Sequence, residues 1–265
     1  MSKILLGTDP EIFIENNKGE IVSAVGLIEG TKHEPFPIDE EGHFIQIDNI
    51  AFEFNIPPCE TAQEYIYHIN HVKDYLAVIA KSHECKLSEK ASGEIDPIHL
   101  QSEEAQTFGC EPDFNVYLKD LNSSPNTNTN LRCVGGHVHI GYPDPTFEKN
   151  ERIVKVFDIL VTLPSLMIDN DERRRELYGK AGSFRVKDFG VECRALSNFW
   201  IHDNTLIEWV FYQTVKAVNL VLEDEDQLYI DKYSERVREA IDTNNKILAK
   251  ELLLEIPITR RASAR

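Results

Sequence analysis

Short segments in which polar and apolar residues alternate are the feature that most constrains the fold of this chain. Such alternation is typical of β-strands with one buried face, because successive side chains point to opposite sides of a strand. We predict strands at residues 3–6, 11–15, 20–25, 43–47, 50–56, 113–118, 134–141 and 189–197. Gly, Asn, Asp and Pro separate the first five segments, which favours short turns between neighbouring strands.

Longer segments with apolar residues at helical spacing lie between groups of strands. The first begins at Thr61, where Glu64 completes a capping-box pattern, and its apolar residues recur as far as Ile79. Further helices are predicted over residues 148–168, 171–178, 203–222, 230–241 and 243–254. The segments follow one another without a clean linker, which predicts one α+β domain over residues 1–256 and a frayed tail at 257–265.

The charge and the cysteines exclude several classes of protein. The chain has 45 acidic and 28 basic residues and a net charge of −17, which repels phosphate backbones and argues against general nucleic-acid binding. Its five cysteines include no C-x-x-C pair, which favours free thiols in a reducing compartment. No segment has the composition of a signal peptide or a membrane span. We therefore expect a cytoplasmic protein without a membrane partner.

Three acids in the first strands are candidates for chemistry. Asp9 and Glu11 are two residues apart at the start of a strand, so both carboxylates face the same side. Two such carboxylates repel each other unless a cation lies between them, and a hard divalent cation is the simplest one. The alternative is a pair of exposed acids beside a proline turn. Glu53, between Phe52 and Phe54, lies on a polar strand face that either lines a cleft or meets solvent.

Two histidines and an acid–arginine pair occupy later strands. In the segment GGHVHIGY, His137 and His139 share one strand face, and the two preceding glycines allow close approach to a ligand. Histidine binds metals and donates hydrogen bonds to phosphate, although a lone histidine is more often a satisfied core residue. Glu192 and Arg194 also share a face. The acid can hold a metal there, and the arginine can bind the phosphate that the metal neutralises.

A basic loop and a run of arginines precede that last strand. Residues 179–185 read GKAGSFR, and the glycines would let backbone N–H groups face an anion beside Lys180 and Arg185. The loop lacks the GxxxxGK[ST] pattern of a Walker loop. At least two of the arginines at 173–175 are expected to lie on a solvated helix face.

One internal similarity connects the two halves of the chain. GTDPEIFI at residues 7–14 resembles GCEPDFNV at 109–116, which contains a second acidic pair, Glu111 and Asp113. The similarity is either coincidental or a sign that two parts of the sheet present acids to one site, and the role of this pair stays open. Taken together, acids, histidines and arginines on polar strand faces suit Mg²⁺ and nucleotide phosphates.

The order of these segments, over about residues 5–200, resembles the glutamine synthetase / glutamate–cysteine ligase superfamily of carboxylate–amine ligases. More specifically, GTDPEIF, FEFN, GGHVHIG and YGKAGSFR look like the phage-type COOH–NH2 ligases, or amidoligases. The resemblance implies a curved antiparallel sheet that forms a catalytic funnel, with helices packed on its outer face. The first acid is Asp9 rather than the glutamate of the superfamily, which shortens its reach.

The resemblance also implies cofactors, an activity and site residues. ATP would bind with Mg²⁺, or with Mn²⁺ in its place, and would phosphorylate a carboxylate; an amine would then displace phosphate from the acyl phosphate. Both substrates would be small molecules or peptides, and a phage-encoded chain would act in the host cytoplasm. The implied metal ligands are Asp9, Glu11, Glu53, His137 and Glu192. The implied ATP-binding residues are His139, Lys180, Arg185 and Arg194, and the implied catalytic residues are Arg185, Arg194 and Glu53.

Three other functions stay open at this stage. A guanidino-kinase-like phosphotransferase would use a related sheet to move phosphate to a nitrogen and would form no amide. A zinc hydrolase would use His137, His139 and an acid without ATP, although the chain has no HExxH helix. A non-catalytic acidic binding protein of a phage would spread its charge over its surface. The identities of the substrates and the oligomeric state also stay open.

Overall fold

The computed structural model of the chain describes residues 3–106, 113–123 and 129–257. The strands are β1 (Leu5–Thr8), β2 (Glu11–Ile12), β3 (Ile14–Asn16), β4 (Ile21–Val22), β5 (Phe36–Pro37), β6 (Phe44–Asp48), β7 (Ala51–Asn55), β8 (Cys85–Leu87), β9 (Ser92–Glu94), β10 (Phe114–Asn115), β11 (Asp120–Leu121), β12 (Leu131–Cys133), β13 (Val138–Gly141), β14 (Ser183–Lys187) and β15 (Gly190–Cys193). The α-helices are α1 (Ala62–Ser82), α2 (Glu103–Gln106), α3 (Phe147–Phe157), α4 (Leu163–Ser165), α5 (Asn204–Leu222), α6 (Gln227–Asp242) and α7 (Lys246–Glu255). Short 3₁₀ helices cover Pro97–Leu100, Arg174–Glu176 and Asn198–His202, and a π-helical turn at Asp158–Thr162 joins α3 to α4.

The described strands form antiparallel sheets. The largest has six strands in the order β1-β13-β15-β14-β10-β11. A four-stranded sheet has the order β2-β7-β6-β5, and two smaller sheets are β4-β3-β8 and β12-β9. The predicted α+β class with antiparallel strands is therefore confirmed, although hydrogen bonding divides the strands among several sheets.

The two larger sheets meet at the short link between β1 and β2. Asp9 and Pro10 form this link, and Glu11 begins β2. The N–H of Glu11 donates to the carbonyl oxygen of Gly135 at 2.9 Å, just before β13. The N–H of Phe54, on β7, donates to the carbonyl oxygen of Pro10 at 3.3 Å. The predicted acidic pair therefore lies at the junction between the two sheets.

The helices cover the sheets and bury their own apolar sides. The predicted capping box of α1 is confirmed, because the hydroxyl of Thr61 accepts from the N–H of Glu64 and the Glu64 carboxylate accepts from the N–H of Thr61. α1 packs against α5, and α3 packs against α5, β14 and β15. The ring of Tyr65 on α1 stacks on Trp200, with 5.8 Å between the ring centroids.

One hydrophobic core contains residues that range in sequence from Leu6 to Ile256. Trp200 and Tyr65 are the largest of its fully buried side chains. A second, smaller cluster contains Phe13, Ile50 and Val134. No helix in the described ranges is long and apolar enough to cross a bilayer.

Three predicted elements differ from the structure. The helix predicted over 148–168 is interrupted by the π-helical turn, because Pro164 has no N–H to donate to the previous turn and its ring crowds that turn. Residues 171–178 contain only a 3₁₀ helix, and residues 183–185, predicted as loop, belong to β14. Residues 258–265, which make up nearly all of the predicted tail, lie outside the described residues.

Candidate active site

Antiparallel pairing aligns three chemically active side chains across the six-stranded sheet. His139 on β13 pairs with Glu192 on β15, and Glu192 pairs on its other side with Arg185 on β14. Directly opposed side chains share a face of the sheet and lie about 5 Å apart. The strand register therefore brings together a histidine, an acid and an arginine that are up to 53 residues apart in sequence.

Asp9 reaches this row from the end of β1. Its Oδ1 lies 3.1 Å from Nε2 of His139 and 3.2 Å from Nδ1 of His137. The Glu192 carboxylate lies 3.8 Å from Nδ1 of His137 and 3.9 Å from Nε2 of His139. Asp9, His139 and Glu192 each offer one ligand atom. These three atoms lie within 4.8 Å of one another, so the residues can share a metal ion.

The charges in this group shift one another's protonation. Burial would raise the pKa of Asp9, but the rings of His139 and His137 outweigh burial and hold that pKa well below its usual range. Burial would lower the pKa of His139, but Asp9 raises it. Burial and Asp9 oppose the ionisation of Glu192, yet Arg194 and the two histidines lower its pKa to about 2. Asp9 and Glu192 are therefore ionised at neutral pH and suited to a cation.

Glu11 and Glu53 form a second acidic pair on the neighbouring sheet. They are register partners on β2 and β7. The carboxylate of Glu11 accepts from the N–H of Gly135 at 2.8 Å, and that of Glu53 accepts from the side-chain amide of Gln46 at 2.5 Å. Burial and then repulsion from Asp48 raise the pKa of Glu11; burial and repulsion from neighbouring acids raise that of Glu53 well above its usual range. A cation beside them would relieve this repulsion.

Basic side chains lie against the same acids. Arg194, only 4% exposed, contacts Glu192 through Nη1, and its Nε lies 2.6 Å from Oδ1 of Asp113. Nε of Arg185 lies 3.4 Å from the same oxygen of Asp113. Lys187 places Nζ 2.7 Å from Oε2 of Glu192. Asp113 therefore holds the two arginines beside the acidic group, while Glu111, its partner in the internal similarity, lies outside the described residues.

The glycines before β13 make room for the chain's own side chains rather than for a ligand. A Cβ at Gly135 would collide with the ring of His137. A Cβ at Gly136 would lie 2.5 Å from the carbonyl oxygen of Ser197 and 2.5 Å from Nε1 of Trp200. Nε1 of Trp200 donates to the carbonyl oxygen of Gly136 at 3.2 Å. The sequence predicted close approach of a ligand at these glycines, whereas in the structure the side chains of His137 and Trp200 lie against them.

The glycine loop before β14 binds carboxylates of the chain itself. The N–H of Ala181 donates to Asp242 at 2.9 Å, and the N–H of Gly182 donates to Asp158 at 2.7 Å. Nζ of Lys180 lies 3.5 Å from the carbonyl oxygen of Asp242, at the end of α6. These two N–H groups therefore donate to buried or half-buried carboxyl groups of the chain, whereas the sequence indicated an anionic ligand. Lys180 contacts α6 and is not among the residues that meet at Glu192.

The prediction of a solvated helix face at residues 173–175 is wrong. Arg174 and Arg175 are buried, with 4% and 8% of their surface exposed. Arg174 donates to the carbonyl oxygens of Val134 at 2.9 Å and Ala195 at 3.0 Å. Those two residues lie close in sequence to His137 and Arg194, so the hydrogen bonds of Arg174 help to position both segments.

Comparison with known proteins identifies the family. Residues 126–257 match the family described as "Phage phiEco32-like COOH.NH2 ligase-type 2". This part of the chain belongs to that family. The family named from sequence motifs is therefore confirmed, and the match includes His137, His139, Glu192 and Arg194. Asp9, Glu11 and Glu53 precede the matched segment, and the tertiary structure places them beside it.

Two solved structures of GmaS resemble the chain. The one described as "Apo GmaS without ligand" has a TM-score of 0.42 and 10% identity, over 99% of this chain and 72% of that chain. The one described as "GmaS/ADP complex-Conformation 1" has a TM-score of 0.42 and 11% identity, over 98% and 73%. No curated protein sequence matches the chain.

The structure adds site residues that the sequence analysis missed. Lys187 was detectable, because it lies two residues after Arg185 on the same face of β14. Gln46 lies directly opposite Glu53 in the β6–β7 register, and Asp48 lies on the same face of β6. Finding these two required the pairing of β6 with β7, which alternation within one strand does not reveal.

The donor set fits a divalent cation of the Mg²⁺ or Mn²⁺ type. The carboxylates of Asp9 and Glu192 supply hard oxygen ligands, and His139 supplies a nitrogen that Mn²⁺ accepts more readily than Mg²⁺ does. His139, predicted as a phosphate-binding residue, lies in this group. His137, predicted as a metal ligand, contacts Asp9 and lies 3.1 Å from Nη1 of Arg194 through Nδ1. Both assignments of the histidines stay predictions.

A cavity opens beside the acidic group. Its lining includes Glu11, Asp113, His137 and Arg194, and also Arg132 and Tyr178. Arg132 is 6% exposed and donates to the carbonyl oxygens of Thr129 and Ala105 at 2.8 and 3.1 Å, so part of its guanidinium holds loops in place. The cavity adjoins both the acids and the arginines.

Proposed function

We propose that this chain is an ATP-dependent carboxylate–amine ligase that forms an amide or peptide bond through an acyl phosphate. The main support is that ligand atoms of Asp9, His139 and Glu192 lie within 4.8 Å of one another, beside Arg194. The second half of this chain belongs to a ligase-type family. Anionic ligands for a cation and fixed arginines for phosphate are the parts that phosphoryl transfer requires.

The metal-binding part of the proposal rests on two acidic groups. Asp9, Glu192 and His139 would hold one Mg²⁺ or Mn²⁺ ion, and Glu11 with Glu53 would hold another at the junction of the sheets. A divalent ion held there would neutralise negative charge on the phosphates of ATP. The raised pKa values of Glu11 and Glu53 support the second site. Burial and neighbouring acids disfavour the ionised form of both carboxylates, and a cation there would offset this effect.

The phosphate-binding part rests on Arg194, Arg185 and Lys187. Asp113 and Glu192 fix the guanidinium of Arg194, which is therefore preorganised and loses little entropy when an anion arrives. Arg185 and Lys187 are more exposed, at 27% and 32% of their side chains, and can turn towards ATP. We propose that all three side chains neutralise negative charge on the phosphoryl group that is transferred.

The chemical step follows from these placements. A substrate carboxylate attacks the γ-phosphorus of ATP, which releases ADP and leaves an acyl phosphate. An amine then attacks the acyl carbon, and inorganic phosphate leaves. We also assign to Glu53 the acceptance of the proton that the amine loses.

The substrates belong to the class of small-molecule or peptide carboxylates and amines. The cavity beside Glu11 and Arg194 is the site that we assign to them. The proposal treats residues 1–256 as one catalytic domain, which is supported by a hydrophobic core that includes both Leu6 and Ile256.

A product assay tests this proposal. The purified chain is incubated with ATP, Mg²⁺ and panels of amino acids, short peptides and polyamines, and ADP, phosphate and new amides are measured together. We expect ADP and amide in equal amounts, and loss of both in Glu192→Gln but not in Glu235→Gln, whose side chain is 81% exposed. ADP formed with a phosphorylated nitrogen and no amide would instead indicate a phosphotransferase. Amide or ester hydrolysis without ATP would contradict the proposal.

A further inference from the structure

A second cluster of ligand-type side chains lies away from the active site. It forms where the turn between β5 and β6 meets α1, and it consists of Asp39, Glu41, His43, His68 and His71. His43 is fully buried. Its Nδ1 lies 2.7 Å from Oδ2 of Asp39, and its Nε2 lies 2.8 Å from Nδ1 of His68. Three histidines, one of them the buried His43, form a donor set that suits a transition metal.

The hydrogen bonds of Asp39 determine which nitrogen of His43 is available. Oδ1 of Asp39 accepts from the backbone N–H groups of Glu41 and His43, at 2.9 and 3.4 Å. Its Oδ2 lies 3.0 Å from Nε2 of His71 as well as close to His43. An ionised carboxylate only accepts hydrogen bonds, so Nδ1 of His43 carries its proton. The lone pair of His43 is therefore on Nε2, which points towards His68.

We propose that Nε2 of His43, Nδ1 of His68 and the carboxylate of Glu41 bind one divalent transition metal ion, with Zn²⁺ as the best fit. Each of these three residues offers one ligand atom, and the three atoms lie within 4.8 Å of one another. Asp39 takes the outer position, because a carboxylate that accepts from the far nitrogen of a metal-bound imidazole orients the ring and raises its basicity. Two nitrogens on a tetrahedral zinc ion lie about 3.3 Å apart, so the rings of His43 and His68 separate by about 0.5 Å on binding.

The ion has a route to this site and a structural consequence there. The side chain of Glu41 is exposed and borders a surface hollow between the β5–β6 turn and the segment at Pro57 and Pro58. A metal at this position ties the β5–β6 turn to α1. Strand β6 also carries Gln46, which donates to Glu53, so the same ion fixes the strand behind one of the acids of the active site.

Calorimetric titration with Zn²⁺ in excess Mg²⁺ tests the proposal on the intact chain. Any zinc bound at the active site is common to all variants, so differences between variants report on this cluster. We expect Glu41→Gln and His68→Gln to weaken one equivalent of Zn²⁺ at least tenfold. Glu40→Gln removes an equally exposed charge from the neighbouring position and should stay within twofold of the unmodified chain.

Two outcomes would overturn the assignment. If Glu41→Gln, His68→Gln and Glu40→Gln all bind Zn²⁺ alike, and Co²⁺ added in its place gives the same absorption spectrum in all three, the cluster is only a hydrogen-bonded network. If His71→Gln loses the equivalent and His68→Gln keeps it, the ion binds between Asp39, Nδ1 of His43 and His71, and the proposed ligand set is wrong. Circular dichroism of each variant verifies that the fold is retained, and Glu41→Gln, an exposed position, keeps the test valid if His68→Gln unfolds.

Discussion

His139 on β13 lies directly opposite Glu192 on β15, and both side chains meet Asp9 from the end of β1. The pair joins a residue of the GGHVHIGY segment to one of the VECR segment, 53 positions later. This relationship makes a carboxylate–imidazole site possible, and the basic side chains around it limit how strongly the site binds a bare cation.

Lys187 competes with a metal ion for Glu192. Because its Nζ lies 2.7 Å from Oε2 of Glu192, Lys187→Gln should bind Mg²⁺ several-fold more tightly in the absence of ATP. The same variant should bind ATP–Mg²⁺ about tenfold more weakly, because one cation for the phosphates is lost. Calorimetric titrations with Mg²⁺ and with ATP measure the two effects. Lys180→Gln is the matched control, and a tenfold loss of ATP affinity in that variant would return Lys180 to the phosphate site.

Arg194 stabilises the fold as well as the site. It is 4% exposed and lies against Glu192, Asp113 and His137, so Arg194→Ala leaves buried carboxylates without their cation. Breaking a buried ion pair from one side costs on the order of 3–5 kcal/mol. Urea denaturation should show a loss of that size, and Arg194→Lys should lose clearly less stability while still failing to restore ATP binding. Equal stability of the two variants would show that the charge of Arg194 does not matter.

Gly136 is required for packing at the start of β13. A Cβ there would lie 2.5 Å from the backbone oxygen of Ser197, so Gly136→Ala forces the backbone or Trp200 to move. Overpacking of this kind typically costs about 1–3 kcal/mol. Gly141→Ala, at the end of β13, brings its Cβ only to 3.6 Å from the carbonyl oxygen of Leu5 and should change stability little. Thermal unfolding of both variants measures the difference, and equal melting temperatures would contradict the packing argument.

His202 gives the fold a dependence on pH. Burial, and then the charge of Lys73, lower the pKa of His202 to about 4, whereas an unfolded histidine has a pKa of about 6.5. The unfolded state therefore binds a proton first as pH falls. The contribution of neutral His202 is complete above about pH 6.5 and is lost towards pH 4, and it amounts to on the order of 3 kcal/mol.

Denaturation of His202→Gln between pH 7 and pH 4 measures this contribution. The variant should lose less stability over that range than the unmodified chain does. His33→Gln, at an exposed position, is the control and should follow the unmodified chain. Identical pH profiles for the His202 variant and the unmodified chain would show that His202 is already protonated when folded.

Much of the site was predictable from alternation within single strands. The shared faces of His137 with His139 and of Glu192 with Arg194 followed from spacing alone, and the structure places all four residues together. The capping box at Thr61 was equally local and is confirmed. Residues that depend on strand pairing were not predictable, because nothing in the order of residues shows that β6 lies beside β7 and places Gln46 on Glu53.

The glycine and arginine segments show why composition misled. GKAGSFR looks like a phosphate loop, yet its N–H groups bind Asp158 and Asp242, which come from α3–α4 and α6 and were not visible as partners. Arginines at 173–175 look solvated, yet Arg174 finds backbone oxygens of Val134 and Ala195. In both cases a charged or polar group forms a hydrogen bond inside the fold, and only the tertiary structure supplies its partner.

The most direct test is calorimetric titration of ATP into the unmodified chain, with and without Mg²⁺, and into Glu192→Gln and Glu235→Gln. The account predicts ATP binding that requires Mg²⁺, is retained in Glu235→Gln and falls at least a hundredfold in Glu192→Gln while the fold is retained. Absence of binding at millimolar ATP, or equal binding by the two variants, would contradict the assignment of Glu192 and its neighbours to a metal–nucleotide site.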